Sequence, residues 1–223
     1  MDIHLPKVPH SWRELAKEIA IIVVGVLIAL AGEQAVERFH WRGLVTESKS
    51  SMNKDVYDVL SASTERVVLE PCIDRYLSEL SQRISSHRPV MRDPDARAPE
   101  RPWSQSAWQA ATAGGVVARM KTSDAQLYSV IFEGANAMDG WNRQEFDLWT
   151  ELNILTVRPV PSEATSDRLL SHIERLRGLN HIIAMTGRQA IDNMKPLQLR
   201  LTRSDQEEIR RAGHSCAAVS PVP

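Results

Sequence analysis

Fourteen consecutive residues, IAIIVVGVLIALAG at 19–32, carry no charge and lie between Glu18 and Glu33. A helix that is apolar all round suits only a lipid span, the core of a signal peptide, or a site buried on every side. By length alone the run rises ~21 Å, against a hydrocarbon core of ~30 Å. Its flanks extend it. Leu15 and Ala16 continue it on one side, Ala35 and Val36 on the other, and Lys17 can snorkel. Trp12 and Trp41 would lie ~43 Å apart on one continuous helix, matching the ~40–45 Å between the two interfacial zones of a bilayer. Arg13 accompanies the first tryptophan; Arg38, Phe39 and Arg42 surround the second. The spacing therefore predicts a transmembrane helix over 15–37, preceded by a short cytoplasmic tail (1–14). Trp12, Arg13, Phe39, Trp41 and Arg42 are its membrane-interface anchors, and the lipid bilayer is its first partner.

The other two readings stay open at this point. Ala29-Leu30-Ala31 has the small-residue spacing of a signal-peptidase site, so cleavage after Ala31 would release a secreted soluble bundle. Against it, Glu14 and Glu18 offset Arg13 and Lys17, and the helical pattern continues through EQAVERFHW without a break. Within the span, Gly25, Ala29 and Gly32 fall at i, i+4 and i+7, a small-residue face on which two membrane helices can self-associate. The basic residues on the two sides balance: Lys7, Arg13 and Lys17 before the span, Arg38, Arg42 and Lys49 after it. The short N-terminal tail and the cysteine content favour a cytoplasmic N-terminus.

Those cysteines are Cys72 and Cys216, enough for one disulfide in an oxidising compartment. A bridge between them closes a loop that the chain-entropy model values at roughly 5 kcal/mol as an upper figure. Two free buried thiols in a cytoplasmic domain are the competing reading. The formal net charge of −1 and the lack of any basic run exclude nucleic acid as a partner.

The stretch 38–84 reads as juxtamembrane and bundle helices. TESKSSMNKD (46–55) is polar all round; Val56, Val59, Leu60 and Val67 then restore an apolar face. Pro71 is expected to end that helix and to open the next at its first turn. In the next helix Ile73, Leu77, Leu80 and Ile84 share one face. Four prolines and no periodicity make 85–103 a long loop. Ser104 is expected to cap a short helix ending at Gly114-Gly115.

Two long amphipathic helices follow within a bundle domain over 104–200, ahead of a C-terminal tail (201–223). The first, 123–157, is capped by Ser123 and carries the seam Leu127, Ile131, Gly134, Met138, Trp141, Glu145, Leu148, Leu152 and Leu155. The second, 162–195, is capped by Ser162 or Ser166 and carries Leu169, Ile173, Leu176, Asn180, Ile183, Gly187, Ala190 and Met194. Alternating steps of four and three define coiled-coil-like packing, and the short RPVP link makes the pair an antiparallel hairpin. Aligning the seams sets Gly134 opposite Gly187, Glu145 opposite Leu176 and Asn180 opposite Trp141. Three polar or amphipathic residues, Glu145, Asn180 and Trp141, thus sit in an otherwise apolar seam. They serve either register control, with Asn180 bonded to the Trp141 indole, or a ligand site. The fold class is all-α: an N-terminal transmembrane helix continuing into an antiparallel helical bundle.

The segment WRELAKEIAIIVVGVLIALAGEQAVERFHWR also resembles the N-terminal signature of a family of uncharacterised bacterial single-pass membrane proteins. The resemblance is carried by Lys17-Glu18-Ile19, Gly25 to Leu30, Glu33-Gln34 and His40-Trp41-Arg42. Weaker likenesses are EPCIDRYLSEL around Cys72, WSQSAWQAA at 103–111 and a cysteine near the C-terminus. The resemblance implies a bacterial inner-membrane protein with a periplasmic helical domain; it implies no activity and assigns no functional residues.

No nucleotide-binding, hydrolase or zinc-protease signature occurs in the chain. One E-x-x-H, Glu37 to His40, lacks the second copy that a four-helix di-metal site needs. His172 and His181 point to opposite sides of their helix. Neither a catalytic residue, a metal site nor a cofactor is therefore expected. The sequence reads as a membrane-anchored binding, scaffolding or sensing module without its own catalysis. Its partner would be a second copy or a membrane or periplasmic protein. The alternative is an extracytoplasmic enzyme with a site around Glu145 and Asn180.

Overall fold

The protein is described here by a computed structural model covering residues 12–90 and 101–215. Every regular element among these residues is helical, as the periodicities require. Helix α1 runs Trp12–Ser85, α2 Ser106–Ala113, α3 Thr122–Glu151, α4 Ile154–Val157, α5 Glu163–Met194 and α6 Arg203–Ser215. The chain divides into two compact units, Met1–Glu47 and Ser48–Pro223.

In the first unit α1 contains an 18-residue window of mean hydropathy 2.3, none of it buried. Ile21 is 72% exposed and Ile28 67%. A helix buried in a protein core is therefore not what this fold makes of the run. The segment is long and apolar enough to cross a membrane.

In the second unit α1 changes character. Two runs, Met52, Val56 and Val59 and then Leu69, Ile73, Leu77, Leu80 and Ile84, are buried at spacings of three and four, with Leu60 buried beside the first. The expected break at Pro71 does not occur. The ring lies on the exposed side of α1, while Leu69, Cys72, Ile73 and Tyr76 around it are buried. An interior proline costs roughly 3 kcal/mol. The apolar surface buried on both sides offsets that loss, and tertiary packing overrides local propensity.

The hairpin is present: α3 packs along α5, and Leu148, Leu152, Leu155, Leu169, Ile173 and Leu176 join Leu69–Ile84 of α1 in one apolar core. Helix α3 buries more than one seam. Tyr128, Phe132, Ala135, Asn142 and Trp149 form a second buried row beside Ile131, Met138 and Glu145. Trp108 of α2 stacks on Phe132, with ring centroids 5.8 Å apart.

Several caps differ from expectation. Ser104 is not the N-cap of α2. Instead the Ala107 N–H donates to the Asp55 carboxylate on α1, 2.9 Å away, so a tertiary contact satisfies a helix-end donor. Ser123 lies inside the first turn of α3, whose N-cap is Lys121. Ser162 is the N-cap position of α5, and its carbonyl accepts the first helical bond from Ser166 N–H at 2.8 Å. Gly114 and Gly115 do end α2, with Gly115 at φ +70°.

The glycine pairing also differs. A Cβ on Gly134 would meet nothing within 4 Å. A Cβ on Gly187 would lie 3.3 Å from the Ser63 carbonyl oxygen of α1. The close approach made by Gly187 is thus between α5 and α1, not between α5 and α3.

The ends of the Pro-rich loop are fixed: Val90 is fully buried and its N–H donates to the Pro159 carbonyl at 2.8 Å, and Trp103 is buried. Residues 91–100 of that loop lie outside the described residues. The segment read as a C-terminal tail is helical through Ser215. Ile209 of α6 is buried, Tyr57 hydrogen-bonds Asp205, and the Thr202 N–H donates to the Tyr57 hydroxyl at 3.0 Å. Ile209, Ala212 and Gly213 share the docking face of a helix that is otherwise so polar that its overall composition reads as a tail.

Candidate functional site

The two polar seam residues converge on a third helix. Arg66, on α1, is fully buried. Its Nη2 donates to Glu145 Oε1 at 2.8 Å and more weakly to Asn180 Oδ1 at 3.4 Å. Asn180 Nδ2 donates to the Glu70 backbone carbonyl at 3.0 Å. Asn180 is therefore not paired with the Trp141 indole, and Trp141 is only half-buried. One residue from each of α1, α3 and α5 makes a polar layer across the apolar core.

Burial pushes the Glu145 carboxyl up from its ordinary value; the Arg66 charge and hydrogen bonds from Arg66 and Trp149 pull the other way without cancelling it. Three further buried polar atoms on this side of α1 lack hydrogen-bond partners among the described residues: the Nε and Nη1 of Arg66 and the hydroxyl oxygen of Ser63. Arg66 is the member that sequence reading missed. An arginine in a run of mixed polarity reads as solvated; only the facing glutamate and asparagine show why it points inward. The signal was available in principle, because Ser63, Arg66 and Glu70 fall on the same face as Val59 and Ile73. Chemically the layer is a buried ion pair with an amide beside it, a kind of contact that can fix helix register. Glu145 sits in none of the clefts described below, and among the described residues no second carboxylate or histidine is bonded to it.

A cleft of about 370 Å³ lies elsewhere in the bundle, lined by Asp58, Glu65, Arg101, Asp205 and Glu208 among others. Arg101 closes on Glu65 through two charge-assisted bonds, 2.6 Å from Nε and 2.7 Å from Nη2. Burial, with Asp55 nearby, raises the Asp58 carboxyl above its usual range. Hydrogen bonds from Tyr57 and Thr202 lower that of Asp205. No group of three or more His, Cys, Asp or Glu among the described residues is placed to hold a metal ion.

The anchor residues of the first unit are surface groups. Trp12 is 80% exposed and Phe39 70%. The Trp41 Nε1–H donates to Glu37 Oε1 at 3.2 Å, and the Arg42 guanidinium lies over the Phe39 ring, 5.9 Å from its centroid. Arg13 is exposed as well, and a Cβ added at Gly25 or Gly32 would meet nothing within 4 Å, so the Gly25, Ala29, Gly32 face is open. Cys72 is buried on α1, its Sγ 3.4 Å from the Gly213 carbonyl oxygen of α6. Cys216 lies outside the described residues.

Compared with family models, curated proteins and solved structures, the chain matches none of them.

Proposed function

We propose that this protein is a single-pass inner-membrane protein of a bacterium, similar to the family its N-terminal signature resembles. Its helix over 15–37 anchors a periplasmic helical bundle that works as a binding or scaffolding module without catalysis of its own. One observation carries the reading. The apolar run is long and apolar enough to span, and its large side chains are exposed among the described residues, whereas the buried apolar positions of the second unit form a packed core. An exposed apolar surface of this extent demands a lipid or protein cover. The cover would be the bilayer, joined by a second copy along Gly25, Ala29 and Gly32 or by a membrane or periplasmic partner.

The periplasmic side goes with a bridge between the chain's two cysteines: Cys72 is buried on α1 with its Sγ 3.4 Å from the Gly213 carbonyl oxygen, and Gly213 precedes Cys216 by three residues in the sequence. A Cys72–Cys216 disulfide would clamp α6 to α1 and would form outside the cytoplasm.

The test is the intact mass of protein isolated from bacterial membranes, before and after reduction. A full-length mass that gains ~2 Da on reduction, as bridge opening requires, is the expected result. A chain beginning after Ala31 would make the run a signal peptide and the bundle soluble. A full-length mass unchanged by reduction would remove the bridge and with it the argument for the periplasm.

A further inference from the structure

A groove of about 400 Å³ runs between α1 and α6, within the ~300–1,000 Å³ typical of small-molecule sites. It has a direction. Thr64 and Val68, one turn apart on α1, form one wall; Gln206, Arg210 and His214, successive turns of α6, form the other. Ile209 and Gly213 lie between them, and Leu201 lines it too. The α6 wall is roughly 12 Å long at 1.5 Å per residue. Gly213 is needed for the helices to meet so closely, because a Cβ there would lie 2.3 Å from Val68 Cγ1.

The polar groups of the groove divide into two kinds. The Thr64 hydroxyl donates to the Leu60 carbonyl at 2.7 Å, and the Gln206 amide donates to the Leu201 carbonyl at 2.9 Å. Both are already satisfied locally. Arg210 and His214 make no hydrogen bond or ion pair among the described residues, although Glu207, one turn from Arg211, does pair with that neighbour. No carboxylate lines the groove. The result is a mostly apolar groove between two helices whose lining includes a guanidinium and an imidazole without a partner among the described residues. It complements a molecule with a linear apolar body and one anionic head.

We propose that this groove binds a linear aliphatic monocarboxylate. The chain lies along Val68 and Ile209 and the carboxylate pairs with Arg210, with His214 as a second donor. Arginine suits the head because its fork matches a carboxylate in geometry as well as charge.

The experiment uses the full-length chain in lipid nanodiscs, with ¹³C-labelled valine and isoleucine methyl groups, titrated with sodium octanoate. The expected result is saturable shifts at the Val68 and Ile209 methyls, unmatched by octylammonium at the same concentrations. Arg210→Glu should weaken the fitted affinity about tenfold, in line with the loss of a charge-assisted bond. The milder Arg210→Gln should fall between. Shifts that grow linearly without saturation would mean surface partitioning and overturn the proposal. So would equal shifts with octylammonium, or an Arg210→Glu protein that titrates like the parent.

Discussion

Helix α1 is one uninterrupted element with two opposite relations to solvent. Between Ile19 and Val36 it is more apolar than anywhere else in the molecule and is exposed throughout. Between Met52 and Ile84 it is interrupted by charged residues every few positions, includes a proline, and supplies much of the core. Hydrophobicity averaged along a helix therefore says little about where the helix is buried. The arrangement matters. A patterned face can be covered by neighbours while its polar side stays wet, whereas an all-round apolar surface cannot be covered by two or three amphipathic partners. The same contrast explains the fate of arginine in each part. Arg42 lies over an exposed ring, while Arg66 is drawn inside because α3 and α5 provide an acceptor each.

The largest effect is expected where the contrast is sharpest. Replacing Leu27 and Ile28 with arginine places two charges in the middle of the apolar run, and in a helix that crosses a bilayer each is disfavoured by about 2.5–3.5 kcal/mol. The protein should leave the alkaline-washed membrane fraction, while the helical content of the bundle is retained. If the doubly substituted protein sediments with membranes as before, the two parts of α1 do not differ in the way described.

The polar layer comes next. Arg66→Met strands a buried carboxylate and Glu145→Leu strands a buried guanidinium; each should lower stability by about 3–5 kcal/mol in denaturant unfolding. The double substitution removes both charges and should recover most of that loss. Additive losses would mean that Arg66 and Glu145 are not coupled.

A smaller effect concerns the α1–α6 contact. Gly213→Val forces a side chain into Val68 and should destabilise by about 1–3 kcal/mol. Val68→Ala should restore part of it, read by thermal unfolding of the double variant against the singles. Without such rescue, α6 does not approach α1 at this point.

The mildest is a pH dependence. Because burial holds the Glu145 carboxyl above its ordinary value in the fold, the folded state binds a proton more readily than the unfolded chain. Its contribution is then fully present below the unfolded value of 4.5 and is lost as pH rises through the folded one. Asp58 acts in the same direction and Asp205 in the opposite one. The Glu145 share is therefore read as the difference in slope between the parent and Glu145→Gln, whose stability should fall less as pH rises above that value. A steeper fall in the variant would reverse the assignment.

Periodicity was enough to determine the all-α class and the hairpin, because intervals of three and four lie within single segments and are local. The apolar run at 19–32 was equally local, read from unbroken composition rather than from a pattern. So were the glycines after α2, while Ser162 was one of two serines offered as the cap of α5. What sequence could not determine was settled between helices distant in the chain. Pro71 stays inside α1 because packing on both sides outweighs one missing hydrogen bond. Asp55 caps α2 from across the bundle. Gly187 lies against Ser63 because three helices meet there, and a two-helix alignment had no place for the third. Glu145 and Asn180 were visible as polar residues in an apolar seam, but the charge that answers them, Arg66, became legible only once α1 lay across both. A buried ion pair is a property of two positions and the space between them, and only the tertiary structure supplies that space.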